Sequence, residues 1–289
     1  MHTQSLSVTQ VGMLAVLLAF ALEVDGRSSE DCELEYKPRS GQSGKDVIWV
    51  PTDDSLVVQM LDLAEVTRAD LVYDLGAGDG KIVITAAKRF GAKAVGIEYN
   101  PQMVQLAQCL GDVAGVADRV RIQQGDIFES DFKDATVVAL YLSPDLNLRL
   151  RPTLLDMAPG TRVVSHTYAM SEWKPDKEAS TDAGRAYLWI VPAKMAGEWT
   201  FEQRSGTDKF TVNLEQTFQE LRGTAGQSHA QLLQAKLQGS QVDFTYKDGR
   251  GCTQVAGWAI GDRIEATVTR NSRTSKYVGA RTQMPAIRR

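Results

Sequence analysis

Three glycines at alternate positions, Gly76, Gly78 and Gly80, follow Asp74 in the run VYDLGAGDGKIVITAAKRF. Apolar strand-like residues before them and helical spacing after them place the glycines in a strand-to-helix turn. Glycine reaches backbone angles closed to other residues and lets the main chain approach a ligand where the first amides of a helix are unpaired. Alone, the pattern requires only a tight turn. The spacing, however, is GxGxG and not the GxGxxG of dinucleotide sites, and Asp74 stands where it would repel a pyrophosphate. A carboxylate there suits a cationic ligand. Glu98 closes GIE about twenty residues beyond the turn, where an acidic side chain can accept both hydroxyls of a ribose. Asp126 in QGDIF is placed so that its carboxylate or its backbone can hydrogen-bond an adenine amino group, with Ile127 or Phe128 flanking the ring. The constellation points to a nucleoside with a positively charged end.

The surrounding pattern supplies the elements that must hold these groups. DSLVVQMLDLAEV, from Asp54, has helical apolar spacing, with Thr52 or Asp53 as cap. Strand-like runs fall at 71–74, 94–98, 119–123, 136–142 and 161–167, and the helical segments KIVITAAKRF and QMVQLAQCLGDVAGV lie between them. This alternation predicts an α/β fold, a Rossmann-like doubly wound and mostly parallel sheet. After about Pro192 the chain changes to short alternating segments with Gly-rich turns, the pattern of a small antiparallel β domain, either a sheet or a partial barrel. The expected organisation is a signal-like or anchor segment over 1–26, a linker over 27–45, the ligand-binding domain over 46–194 and the β-rich domain over 195–289.

Together, VPTDD, YDLGAGDGKIVITAAK, GIEYNP and SEWKPD resemble the class I, seven-strand methyltransferases over roughly residues 48–192. More narrowly, they look like the lysine methyltransferases related to the mitochondrial enzyme that modifies the c-subunit of ATP synthase, and like its bacterial relatives. The resemblance implies S-adenosylmethionine as cofactor, with Asp74, Gly76, Gly78 and Gly80 at its methionine end and Glu98, Asp126 and Ile127 around ribose and adenine. It implies a protein lysine as methyl acceptor. The alternatives are a small-molecule acceptor and a non-catalytic nucleotide-binding module; the glycine spacing and Asp74 disfavour an NAD-dependent reductase.

Methyl transfer from a sulfonium is an in-line displacement with a neutral leaving group, so the enzyme must chiefly align the nucleophile and exclude water. The expected substrate-facing segment is ALYLSPDLN, with Tyr141 and Asp145 as the catalytic candidates. Its LSPD departs from the Asn/Asp-Pro-Pro-aromatic motif of amide and adenine methylating enzymes. A core aromatic on a buried strand is an equal reading of Tyr141. His166 is a candidate proton acceptor near neutral pH, though a lone histidine is more often structural. Trp173 is expected to pack a loop over the site, and Val50, Pro51 and Thr52 to cover the cofactor.

A chain of 289 residues with 43% hydrophobic content can bury a large core, and its net charge of −4 gives no global field that would draw nucleic acid. The three cysteines lack the spacing of a zinc site; Cys109 is expected to be a buried apolar side chain, which leaves Cys32 and Cys252 to pair in an oxidising compartment. The apolar run Val11–Leu22 fits a secretory leader better than a full span, so export or membrane anchoring is expected. A cytoplasmic enzyme is the alternative.

Overall fold

The computed structural model describes residues 27–284; the leader expected over residues 1–26 lies outside the described residues. Seven strands build one sheet in the order β3-β2-β1-β4-β5-β7-β6. They are β1 (Leu71–Leu75), β2 (Lys93–Glu98), β3 (Val120–Gln124), β4 (Val137–Leu140), β5 (Arg162–His166), β6 (Lys177–Thr181) and β7 (Gly184–Ile190). The first five run parallel, and β7 inserts antiparallel between β5 and β6. Successive residues point to opposite faces, and both faces of the sheet are covered, which is why the central strands read as unbroken apolar runs.

Val72, Ala94, Val137, Ala139 and Val164 pack under three helices: α2 (Asp54–Leu63), α3 (Lys81–Phe90) and α4 (Pro101–Val113). Tyr73, Leu75, Ile97, Val138 and Leu140 face the other way, onto Leu146, Leu150 and Leu154 of α5 (Pro144–Leu155). Chain order reverses between β1 and β4, so the crevice for a ligand opens where Leu75 passes into Gly76 and Leu140 into Tyr141.

The second unit is a closed eight-stranded antiparallel barrel, where the sequence left a sheet or partial barrel open. Its strands are β8 (Gly197–Gln203), β9 (Lys209–Thr217), β10 (Glu220–Ala225), β11 (Ala230–Gln238), β12 (Gln241–Asp248), β13 (Gly251–Ile260), β14 (Arg263–Arg270) and β15 (Arg273–Gln283). Closure comes from the pairing of β15 with β8. Phe201, Phe210, Phe244 and Tyr246 fill the interior, the first two stacked with centroids 5.0 Å apart. The barrel meets the sheet unit at Trp173, which is fully buried and stacks on Phe218 at 6.1 Å. Trp173 therefore belongs to this junction and does not cover the crevice.

The stretch 27–45, read as a linker, holds a helix, α1 (Ser29–Glu35), started by a capping box of Ser28 and Asp31. Cys32 on α1 forms a disulfide with Cys109 on α4, Cα atoms 5.8 Å apart, while Cys252 is an exposed free thiol on β13. This corrects the expected Cys32–Cys252 pair. Cys109 is buried on its helix as expected, but Cys32 packs onto the same face together with Met103 and Leu106.

The bridge closes a sequence separation of 77 residues, for which loop-closure entropy gives about 4.5 kcal/mol. Cys32→Ser is expected to lose about 2–5 kcal/mol of unfolding free energy by denaturant titration. A loss equal to that of the wild type under reducing conditions confirms the bridge as its source, whereas an unchanged midpoint would show that the bridge adds no stability.

Candidate functional site

A cavity crosses the carboxyl ends of the parallel strands. Its floor is the turn after β1, where Gly76, Gly78 and Gly80 all have positive φ, at 87°, 56° and 79°. Gly76 and Gly78 line the cavity. A Cβ on Gly78 would lie 2.6 Å from Trp49 Nε1, so a side chain there would have to push the Trp49 ring aside. Gly80 does not line the cavity. It begins α3, and a Cβ would lie 2.9 Å from that of Ala107, so this glycine lets α3 and α4 approach.

Glu98, at the end of β2, ties the floor to the next turn. One carboxylate oxygen accepts from Gly78 N at 2.9 Å, the other from Asn100 N at 2.8 Å. Asn100 in turn caps α4, which brings Met103 to the cavity. Both Glu98 oxygens retain lone pairs for further donors.

Asp74 is 2% exposed at the end of β1. Burial pushes its carboxyl up to about 8, and the neighbouring carboxylates of Asp79 and Glu98 add to the rise. Asp79 is likewise raised, chiefly by burial. Three acidic groups thus crowd one end of the cavity, an arrangement that a bound cation relieves.

Asp126 and Ile127, after β3, line the opposite flank. Asp126 accepts from Phe128 N at 2.9 Å and pairs with Lys45. The Lys45 ammonium, then the Phe128 amide, hold the Asp126 carboxyl below the ordinary range. Phe128 itself turns away from the cavity and packs under the Arg149 guanidinium, 3.7 Å from the ring centroid.

The roof is a strap, residues 42–52, of which the sequence indicated only Val50, Pro51 and Thr52. Its hairpin is held by Gly41 N to Trp49 O at 2.8 Å and Trp49 N to Gln42 O at 2.9 Å. Lys81 Nζ donates to Thr52 O at 2.9 Å and pairs with Asp54 at 2.8 Å. The strap is anchored at its start by Gln42 Nε2 donating to Tyr36 Oη at 2.9 Å, beside the Cys32–Cys109 bridge. Nothing in the apolar periodicity marks the strap, because its hairpin is held by backbone bonds and its position over the cavity by the distant partners Lys81 and Asp126.

At the β4 end Tyr141 lines the cavity, half-buried, with Leu142, Leu146 and Tyr168. Burial, then the adjacent Tyr168, raise the Tyr141 hydroxyl above its ordinary pKa. The His166 ring lies behind Tyr141 with centroids 3.8 Å apart and does not line the cavity; burial lowers its pKa and keeps it neutral at pH 7. Asp145 is not brought to the cavity either. The SPD segment is the start of α5, with Ser143 as cap and Pro144 in the first turn, and Asp145 is exposed there, facing the positive end of the helix dipole. Tyr168 was missed by sequence reasoning, although it sits in the same VVSHTYAM segment as His166.

These residues fit S-adenosylmethionine. The buried carboxylates suit its cationic amino-acid end, Glu98 the ribose hydroxyls, and Asp126 with Ile127 the adenine. All residues lining the cavity fall between 42 and 168, so the barrel contributes none.

The chain matches the ANTKMT methyltransferase domain family over residues 74–177. It is 41% identical to a protein-lysine N-methyltransferase of Saccharolobus islandicus (strain REY15A), over 50% of this chain and 94% of that protein. The Mus musculus lysine N-methyltransferase of the ATP synthase c-subunit is 31% identical over 49% of this chain, which spans 56% of that relative's length. A crystal structure described as an RNA methyltransferase from Salinibacter ruber, bound to S-adenosyl-L-homocysteine, is 48% identical with a TM-score of 0.50, covering 50% of this chain and 96% of that one.

Proposed function

Since the chain belongs to the class I S-adenosylmethionine-dependent methyltransferases, related to the lysine methyltransferases of the adenine nucleotide translocase and of the ATP synthase c-subunit, we propose that its acceptor is a protein lysine. The observation that carries this reading is the make-up of the cavity's β4–β5 end. Tyr141, Leu142, Leu146 and Tyr168 line it, while the acidic lining residues lie toward the strap and the β1–β3 turns. A lysine ammonium entering this end meets aromatic faces that attract a cation and apolar walls that lower its pKa. The proton leaves to solvent before transfer.

The bound cofactor supplies a methyl carbon made electrophilic by the sulfonium. Attack by the lysine lone pair on that carbon would form the N–C bond and displace a neutral thioether, which would keep the S–C electron pair. The chain would then need only to hold Tyr141, Tyr168 and the acidic end in place around the two reactants. The chain's residues orient and desolvate; no protein nucleophile takes part. The similarity to a protein-lysine enzyme along nearly all of that enzyme's length supports the same acceptor class, and the net charge of −4 argues against a nucleic-acid backbone as partner.

Incubation with methyl-labelled S-adenosylmethionine and a mixture of cellular protein and RNA tests the proposal. The label is expected in methyl-lysine after acid hydrolysis, removed by protease and not by ribonuclease, with a rate that rises between about pH 7 and 9 as the amine loses its proton. Label confined to RNA, or to small molecules, would overturn the reading.

A further inference from the structure

The segment that follows β5 combines backbone strain, buried polar groups and an aromatic side chain at the cavity. Thr167 has φ +64°, in the left-handed region that a β-branched residue rarely enters. Such outliers persist only where surrounding contacts over-determine them. Here Thr167 N donates to Arg185 O at 2.7 Å, and Tyr168 N donates to His166 O at 2.7 Å.

The carbonyl of Tyr168 accepts twice, from Ser165 Oγ at 2.8 Å and from Asn147 Nδ2 at 3.1 Å. Asn147 and Ser165 are both completely buried, and Asn147 Nδ2 also lies 3.3 Å from Ser165 Oγ. Asn147 Oδ1 has no partner among the described residues. An amide buried with an orphaned oxygen is costly in a helix that packs otherwise through leucines. What its nitrogen achieves is to fix one carbonyl, that of Tyr168.

The side chain of Tyr168 is 38% exposed and lines the cavity beside Tyr141, which is backed by the His166 ring. The strained turn therefore sets both rings, His166 on its inner side and Tyr168 on its outer side. We propose that Tyr168 forms, with Tyr141, the seat of the acceptor lysine, and that Asn147 and Ser165 are positioning residues that act through the Tyr168 backbone. This rests on the lysine reading above and names the part of the site that recognises the amine.

The seat predicts a division of labour. The acidic end and the strap bind cofactor, and the turn after β5 binds acceptor. Tyr168→Ala is expected to raise KM for a lysine-containing peptide about tenfold or more while leaving S-adenosylhomocysteine affinity unchanged; Tyr168→Phe, which keeps the ring, is expected to stay within about threefold of wild type. Asn147→Ser removes the amide that fixes the carbonyl and is expected to raise KM several-fold in the wild type but to add nothing in Tyr168→Ala. A merely structural asparagine would act equally in both backgrounds. Thermal melts and cofactor affinity report whether each variant folds.

An unmoved KM in folded Tyr168→Ala overturns the seat, and an additive Asn147→Ser overturns its positioning role. Absence of lysine methylation by the wild-type protein overturns the acceptor reading and the seat together, so the two failures are distinguishable.

Discussion

Glu98→Ala is expected to lower affinity for S-adenosylhomocysteine by about 100-fold or more, measured by calorimetric titration. The carboxylate makes two charge-assisted bonds to main-chain donors, Gly78 N and Asn100 N, and each such bond is worth about 1.5–3 kcal/mol. These bonds order the turn and the start of α4 before ligand arrives, so alanine loses binding free energy both through the cost of re-ordering that floor and through the two ribose contacts, with about 1.4 kcal/mol per tenfold. Glu98→Gln separates charge from shape. It replaces one acceptor oxygen with an amide donor, which would face a backbone N–H, so it is expected to fail nearly as badly as alanine. A Gln variant that binds normally would show that the carboxylate is dispensable, and an alanine variant within threefold of wild type would remove Glu98 from the site.

Why Glu98 was legible while the roof above it was not follows from the range of the interactions involved. The turn after β1 and the acid after β2 are fixed by local chemistry: positive φ at Gly76 and Gly78, and a short reach from the end of one strand to its parallel neighbour. The inner parallel strands β1, β2, β4 and β5 were legible because burial on both faces gives continuous apolar runs, whereas the edge strand β3, VRIQQ, shows itself only by alternation around the buried Ile122. By contrast, β6 is a polar edge strand, KEAST, with no apolar signal. α5 begins in SPD, which reads equally as a site motif or a helix cap; its geometry decides for the cap and leaves Asp145 in solvent.

The strap depends on long-range contacts, Lys45 with Asp126 and Trp49 over Gly78, and the disulfide on the packing of α1 against α4. Neither leaves a periodic trace. In the barrel, alternation reveals antiparallel strands, but closure depends on β8 meeting β15 across the whole domain. The acceptor end was half legible: Tyr141 was indicated by its place after β4, while Tyr168 reaches the cavity only because Thr167 adopts a conformation unfavourable for its type.

Asp74 sets stability and binding against each other, and Asp74→Asn is expected to separate them. An aspartate in the unfolded chain ionises near its ordinary value of 3.8, whereas the folded protein without ligand holds the Asp74 proton up to about 8. Between those values the folded state carries the extra proton, so stability falls as pH rises, by up to about 1.4 kcal/mol per pH unit, and levels off above the folded value. Asn cannot ionise; the ligand-free variant should melt several degrees higher than wild type at pH 8 and lose this part of the pH dependence. Binding should move the other way. A ligand ammonium beside Asp74 favours the carboxylate, so at pH 7 the wild type must release nearly one proton on binding S-adenosylhomocysteine. Calorimetry in two buffers of different ionisation enthalpy measures that release. The affinity of the wild type should climb with pH and flatten near 8, while the variant binds weakly and without proton release. An Asn variant that binds as tightly as wild type, or a wild type that releases no proton, would mean that the buried carboxyl does not face the cationic end of the cofactor, and that the acidity of this crevice has a structural origin only.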